Sequence, residues 1–332
     1  MSNRMKSQVV GRLLLVAIPI VLFIVMGYDL SHVTSVVTKH AKMLHEKLTT
    51  PVDLNPSRRS NPSAAGHLPP ALQGVTKGAA CRVQFVFAGS KYDYNNFPLL
   101  QTWIRYADPK CPIEFLRPNH PFLVQLTTAE SRMFYNSAFL PILQADMLKL
   151  FSLFYLGGVV VDLDVEAIKP FPQAWSGIDN SLASCNVVVG IEANCYDDEC
   201  VKTMVRKGQI QNWAMFARQP RSQFMGELLE FVVAKYESMA PLDKDVSVQE
   251  VAGSGPITDF VILYGNFSQP HYQIQTTPSG GTLETDPTSV LRIRKHHEEI
   301  CIVGAAYTGG GCSGYAECLI AHHYEGSWRS SS

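Results

Sequence analysis

Charge is scarce in this chain and neither sign prevails. Asp, Glu, Lys and Arg make up 17% of its 332 residues, and 28 basic against 29 acidic side chains leave a formal net charge of −1. Basic residues form no stripe, so the electrostatic footprint of a nucleic-acid binder is absent and no nucleic-acid partner is expected. Cys-x-x-Cys pairs are missing as well, which removes the usual spacing of a structural zinc site. A long apolar run is lacking too: the stretch Leu13 to Tyr28 holds sixteen residues, short of the ~20 that span a bilayer and above the roughly 7–15 of a signal-peptide core.

What is present places the chain in the secretory pathway. Arg4, Lys6 and Arg12 precede the apolar stretch and Asp29 follows it. The positive-inside rule then keeps the N-terminus cytosolic and sends the remainder to the lumen. An uncleaved signal anchor is the favoured reading, and a cleaved signal peptide, with Val25 and Gly27 near a possible cut, is the alternative. Eight cysteines, an even number, all lie beyond this segment, as in a disulfide-bonded lumenal domain. Cys195/Cys200 and Cys312/Cys318 are close enough in sequence to close small loops. Asn266-Phe267-Ser268 is an N-glycosylation sequon.

The expected organisation is a cytosolic tail at 1–12, a signal anchor at 13–28, a stem at 29–80 and a globular domain at 81–332. Pro51, Pro56, Pro62, Pro69 and Pro70 interrupt the stem, whose composition buries too little apolar surface to fold alone. Within the domain, Arg82–Phe87 and Ile113–Leu116 read as strands and Pro98–Tyr106 as a helix. Pro141–Leu156 is the clearest helix, with Leu143, Met147, Leu150, Phe151 and Phe154 on one stripe, and Gly157-Gly158 stops it. Val159–Val161 follows as a short buried strand. This alternation predicts an α/β sheet.

Asp162-Leu163-Asp164 falls at the end of that strand, the edge where open α/β sheets bind ligands. Residues two apart on a strand point the same way, so the two carboxylates are expected to converge. Their mutual repulsion is relieved by a hard divalent cation such as Mn²⁺ or Mg²⁺, which would bridge to nucleotide phosphates. A solvated strand end, with Asp capping a turn, is the plainer alternative. Asp146 and Lys149 share a helix face, as a surface ion pair or as part of the site. Trp213 and Trp328 could stack on a sugar or pack in the core.

The stretch "QADMLKLFSLFYLGGVVVDLDVEAIKPF" (Gln144–Phe171) resembles the donor-binding core of glycosyltransferase family 32. "VGIEAN" (Val189–Asn194), "QIQNWAMFARQP" (Gln209–Pro220), "SGPITD" (Ser254–Asp259) and "HHYEGSW" (His322–Trp328) follow in the order of its fungal-type initiation-specific α-1,6-mannosyltransferase branch. The resemblance implies a GT-A (Rossmann-like) nucleotide-sugar-binding domain and retaining transfer of mannose from GDP-mannose to an N-glycan core. It also implies a single-pass type II protein of the Golgi membrane, or of the endoplasmic reticulum. Asp162 and Asp164 would hold the metal and Asp162 also the donor, with Asp146, Lys149, Gly157 and Gly158 around it. His323 would close over the metal and diphosphate, and adjacent His322 competes for that role. Asp259 or Glu192 would meet the acceptor hydroxyl or flank the sugar.

The chain departs from the family pattern at Lys149, usually Arg, at Gln144, commonly basic, in its opening strand, and at Gly253-Ser254-Gly255-Pro256. These changes bear on the donor more than on the fold. Other readings are a family-32 enzyme acting on a glycolipid, a metal-dependent phosphohydrolase using the Asp pair, and a non-catalytic glycan-binding Golgi protein.

Overall fold

Apolar β-branched runs separated by amphipathic and apolar helices build a mixed α/β structure in the computed structural model. The structure describes residues 81–86, 88, 99–199, 202–243, 245–267 and 282–324. The expected tail, anchor and stem, and Trp328, lie outside the described residues. Among those described, no helix is long and apolar enough to cross a membrane.

The chain begins with β1 (Val83–Val86), α1 (Leu100–Tyr106), β2 (Ile113–Leu116), α2 (Thr128–Asn136), α3 (Pro141–Leu156), β3 (Gly158–Val161) and β4 (Val165–Ala167). It continues with β5 (Val187–Ile191), β6 (Ile210–Ala217), α4 (Gln223–Met239), α5 (Ser254–Gly265), β7 (Val290–Lys295), β8 (Glu298–Val303) and β9 (Ile320–His322). Seven strands form one sheet in the order β2-β1-β3-β6-β5-β8-β7. The pairings give β2, β1, β3, β5 and β8 one direction, with β6 and β7 running against them. A separate antiparallel ribbon joins β4 to β9, with Val165 opposite His322.

Side-chain alternation on the strands divides the core between the two sheet faces. Val160 joins Met215, Val187 and Val189 under α3, α4 and α5, while Val159 and Val161 face Phe85, Phe216 and Trp103 on the other side. Helix α3 is buried nearly all round, including Asp146 and Lys149, as expected of a helix with more than one apolar face. Pro141 starts it at a position where a missing N–H costs nothing. Gly157, at φ +67°, ends it, and its N–H returns to the carbonyls of Ser152 and Leu153. Thr127 and Glu130 form a capping box on α2, and the buried Glu130 carboxylate also accepts a 2.6 Å bond from Tyr155 of α3.

Gly157 and Gly158, expected near a donor, serve close packing. A Cβ on Gly157 would lie 2.8 Å from the Pro220 nitrogen, and one on Gly158, at φ +93°, would lie 2.5 Å from the Arg82 carbonyl oxygen. Disulfides join Cys81 to Cys111, Cys185 to Cys301 and Cys312 to Cys318. Cys195 is also disulfide-bonded. The Cys312–Cys318 loop immediately precedes β9 and pins the strand that carries His322.

Candidate functional site

Strand β3 ends at Val161, and Asp162 to Asp164 turn out of the sheet into β4. The Asp162 N–H donates to the Trp213 carbonyl at 2.9 Å and the Val165 N–H closes back on the Asp162 carbonyl at 3.2 Å. The two carboxylates therefore converge through a tight turn, and not through strand alternation as the sequence suggested. Pairing of β4 with β9 brings in the third group, His322. Donor atoms of Asp162, Asp164 and His322 all lie within 4.8 Å of one another.

His322 and His323 separate cleanly. The Nε2 of His322 lies 3.2 Å from Asp164 Oδ1. The Nε2 of His323 lies 2.9 Å from Glu166 Oε2, on a side chain 44% exposed. The three-residue cluster thus holds His322 where the resemblance had favoured His323. His323 lies one residue past β9, where its N–H donates to the Asp164 carbonyl at 2.9 Å and its ring turns to Glu166. The His322 ring is stacked on Trp213, centroids 4.5 Å apart, and meets Tyr324 edge-on at 4.1 Å.

Beneath this cluster lies an ionic triad. Lys149 Nζ is 2.6 Å from Asp162 Oδ1 and 3.2 Å from Asp146 Oδ1. Asp146 and Lys149 side chains are 5% and 3% exposed, so the surface-pair reading of the sequence gives way to a buried one. Burial pushes the Asp146 carboxyl up to about 6, with Lys149 opposing that rise and Asp162 adding to it; the Asn212 side chain also hydrogen-bonds Asp146. Burial likewise raises Asp162, against the pull of Lys149. Burial works against the Lys149 ammonium, yet Asp162 and Asp146 outweigh it and hold its pKa above the ordinary lysine value.

Glu192, just past β5, flanks the same region. Gln209 donates to its Oε2 at 2.6 Å and Ser254 at 3.4 Å. Its pKa is raised by burial, which Gln209, His322, Ser254 and Lys149 only partly counter. Tyr324 is raised to about 12 by burial and by the nearby Glu192 and Asp164 carboxylates. Asp259, expected beside Glu192 in the chemistry, is committed elsewhere. Arg206 grips both its oxygens at 2.7 and 2.9 Å while also binding Glu250, and Lys235 lies 3.5 Å away. Those bonds occupy the carboxylate, so Asp259 belongs to a salt-bridge network bracing α5.

Asn212, Gln209 and Tyr324 escaped the sequence reading as individual site residues. The first two lie in the quoted segment Gln209–Pro220, but only the strand pairing shows which way each points.

The donor set fits a divalent cation. Two carboxylates and an imidazole supply hard oxygens and one nitrogen, and the Asp pair is already gathered into one turn by main-chain bonds.

Residues 33–184 match the family described as "Glycosyltransferase sugar-binding region containing DXD motif". This match, over less than half the chain, supports a glycosyltransferase-type domain similar to family 32; it spans Asp146, Lys149, Asp162 and Asp164 and ends before Glu192 and His322. No curated protein matches the chain. Among solved structures, "PaToxG Glycosyltransferase" is similar with a TM-score of 0.38 and 14% identity, covering 55% of this chain and 68% of that one. Mouse xyloside xylosyltransferase 1, in its apo form, has a TM-score of 0.29 and 11% identity, covering 55% and 81%. Likenesses this distant carry no argument about activity.

Proposed function

We propose that this protein is a divalent-cation-dependent glycosyltransferase of GT-A architecture that moves a sugar from a nucleotide-sugar donor to a glycan. One observation carries the reading: Asp162, Asp164 and His322 converge within 4.8 Å at the mouth of the sheet, inside and beside the segment matched to the DXD-containing sugar-binding family. The finer reading is retaining α-1,6 transfer of mannose from GDP-mannose to an N-glycan core, by a type II protein of the Golgi membrane. It is supported by the ordered sequence segments that resemble the fungal-type branch, by the basic-apolar N-terminus and by the disulfides.

Sugar transfer separates charge: the leaving diphosphate gains negative charge as the anomeric carbon becomes positive. Mn²⁺ or Mg²⁺ held by Asp162, Asp164 and His322 would supply Lewis-acid stabilisation of the leaving group. The chain's own residues do the rest. Trp213 and the β4–β9 pairing fix the His322 ring. Lys149 holds Asp162 from below and orients it through a charge-assisted bond at 2.6 Å. Asp146 and Asp162 share the Lys149 ammonium, and Glu192, held by Gln209 at 2.6 Å, adds a fixed carboxylate beside the cluster that favours cationic character at the sugar carbon. Glu192 Oε1 accepts no hydrogen bond among the described residues and is available to a sugar hydroxyl.

The test is nucleotide release by the purified protein with Mn²⁺, a panel of nucleotide sugars and a high-mannose acceptor, beside Asp164→Asn. GDP release from GDP-mannose that disappears in the variant supports mannose transfer and starts the search for the acceptor and linkage. Release from a different donor keeps the transferase and replaces mannose. No turnover by folded protein, with binding to glycan retained, points to the non-catalytic alternative.

A further inference from the structure

Lys149 is an unusual neighbour for a cation site. Its side chain is only 3% exposed, is fixed on α3, and its Nζ lies closer to Asp162, at 2.6 Å, than to its helix partner Asp146, at 3.2 Å. A divalent ion taken up by Asp162, Asp164 and His322 would therefore share the Asp162 carboxylate with a positive charge that cannot swing away into solvent. Asp146 is equally fixed: buried, bonded to Lys149 and Asn212, and close to the backbone of Gly253, where a Cβ would lie 3.4 Å from its Oδ2.

We propose that Lys149 is a built-in counter-ion that holds cation affinity of the free protein down, with Asp146 restraining how hard it pulls on Asp162. The inference rests on the cation reading of the site given above. Two physical effects act together. Lys149 occupies one oxygen of Asp162 and so reduces the donors offered to an ion, and its charge opposes a second positive charge in a poorly hydrated setting. Site affinity for hard cations follows the count of ligand charges. Asp162, Asp164 and His322 would then hold the ion firmly only with the further negative oxygens of a diphosphate, which would couple metal uptake by these residues to nucleotide binding. Asp146 draws the ammonium partly away from Asp162, and its removal tightens the Lys149–Asp162 contact.

The two residues thus have opposite effects, which a merely structural ion pair would not produce. The experiment is titration of the full chain, purified in mild detergent, with Mn²⁺ alone, read by electron paramagnetic resonance of free Mn²⁺. Lys149→Met is expected to bind Mn²⁺ at least tenfold more tightly than the parent, Asp146→Asn several-fold more weakly, and Lys149→Arg within about threefold, because charge is kept. Loss of one partner of a buried pair is destabilising, so Asp146→Asn/Lys149→Met, which leaves the net charge unchanged, is measured beside them. It too is expected to bind more tightly than the parent, since the Asp162 oxygen held by Lys149 is released. Equal or weaker binding in both Lys149→Met proteins, with Asp164→Asn still abolishing binding, overturns the counter-ion role and leaves the cation site standing. Mn²⁺ binding by none of the proteins overturns both. Binding by Lys149→Met and not by the parent supports the proposal in its strongest form.

Discussion

The imidazole of His322 lies flat on the indole of Trp213, with centroids 4.5 Å apart and planes 8° from parallel. Trp213 is on β6 and His322 on β9, strands that belong to different sheets. The stack fixes the ring plane at the spot where its Nε2 reaches Asp164. His323, one residue on, points instead at Glu166 and is far more exposed, 44% against 10% for the His322 side chain. We predict that His322→Ala lowers Mn²⁺ affinity by at least about tenfold, the scale on which metal sites respond to a lost supporting group, and lowers turnover with it. His323→Ala should change stability by less than about 1 kcal/mol, as exposed ion pairs do, and leave Mn²⁺ affinity unchanged. Equal losses in the two variants would remove the distinction drawn from the geometry.

Trp213 itself is 3% exposed, so its substitution tests packing and site together. Trp213→Ala should destabilise the domain by about 3–5 kcal/mol. Trp213→Phe keeps a ring under His322 and is expected to retain Mn²⁺ affinity within a few-fold despite a lower melting temperature. A Phe variant that stays folded yet loses the ion would show that the indole does more than hold the imidazole plane.

Much of this arrangement was legible in the sequence where local rules suffice. Helix Pro141–Leu156 has the limits expected, because Pro at its start and glycine at its end act within a turn. Ile113–Leu116 is likewise the strand its β-branched and aromatic residues suggested. The Asp pair was recognisable as a converging couple, although the convergence comes from a turn. What could not be read depends on pairing between distant segments. Nothing local shows that His322, rather than His323, sits opposite Val165. Asp259 lies 53 residues from the Arg206 that engages it, so its carboxylate looked as available as that of Glu192. The burial of Asp146 and Lys149 was also hidden, since a charged i,i+3 pair on a helix usually faces water and only the sheet packed beneath α3 reverses that.

Gly158 offers a test of the packing that places the aspartates. It sits at φ +93°, and a Cβ there would stand 2.3 Å from Arg82 Cγ and 2.5 Å from the Arg82 carbonyl oxygen. That carbonyl accepts the Val159 N–H at 2.9 Å and so aligns β3 with β1. Gly158→Ala combines a disfavoured backbone region, about 1–3 kcal/mol, with overpacking of about 1–3 kcal/mol. The expected loss is about 2–6 kcal/mol by urea unfolding, with nucleotide-sugar turnover falling in the fraction that remains folded. A variant with unaltered stability would mean that β3 can shift away from Arg82 without cost.

The network around Arg206 gives a dependence on pH with a definite sign. Hydrogen bonds from Arg206 lower the Glu250 pKa below its ordinary value, with burial opposing them. For Asp259 burial acts to raise the pKa, and Arg206 and Lys235 together outweigh it and leave it lowered. A carboxylate whose pKa is depressed by folding adds stability that is fully present above its unfolded pKa, roughly 4 for Asp and Glu, and is lost as pH falls through the folded value. The protein should therefore keep this contribution from neutral pH down to about 5 and lose it progressively below about 4. Arg206→Met removes the guanidinium from both carboxylates and should lower stability near pH 7 by roughly 1.5–3 kcal/mol, the range for hydrogen bonds to charged groups, a value at the low end being expected because the three side chains are 25–30% exposed. The gap between parent and variant should then narrow as pH drops toward 3, since protonated Glu250 and Asp259 no longer gain from Arg206. Urea unfolding of both proteins across that range checks the sign. A gap that stays constant or widens in acid would show that Arg206 stabilises α5 by packing, with its charge playing no part.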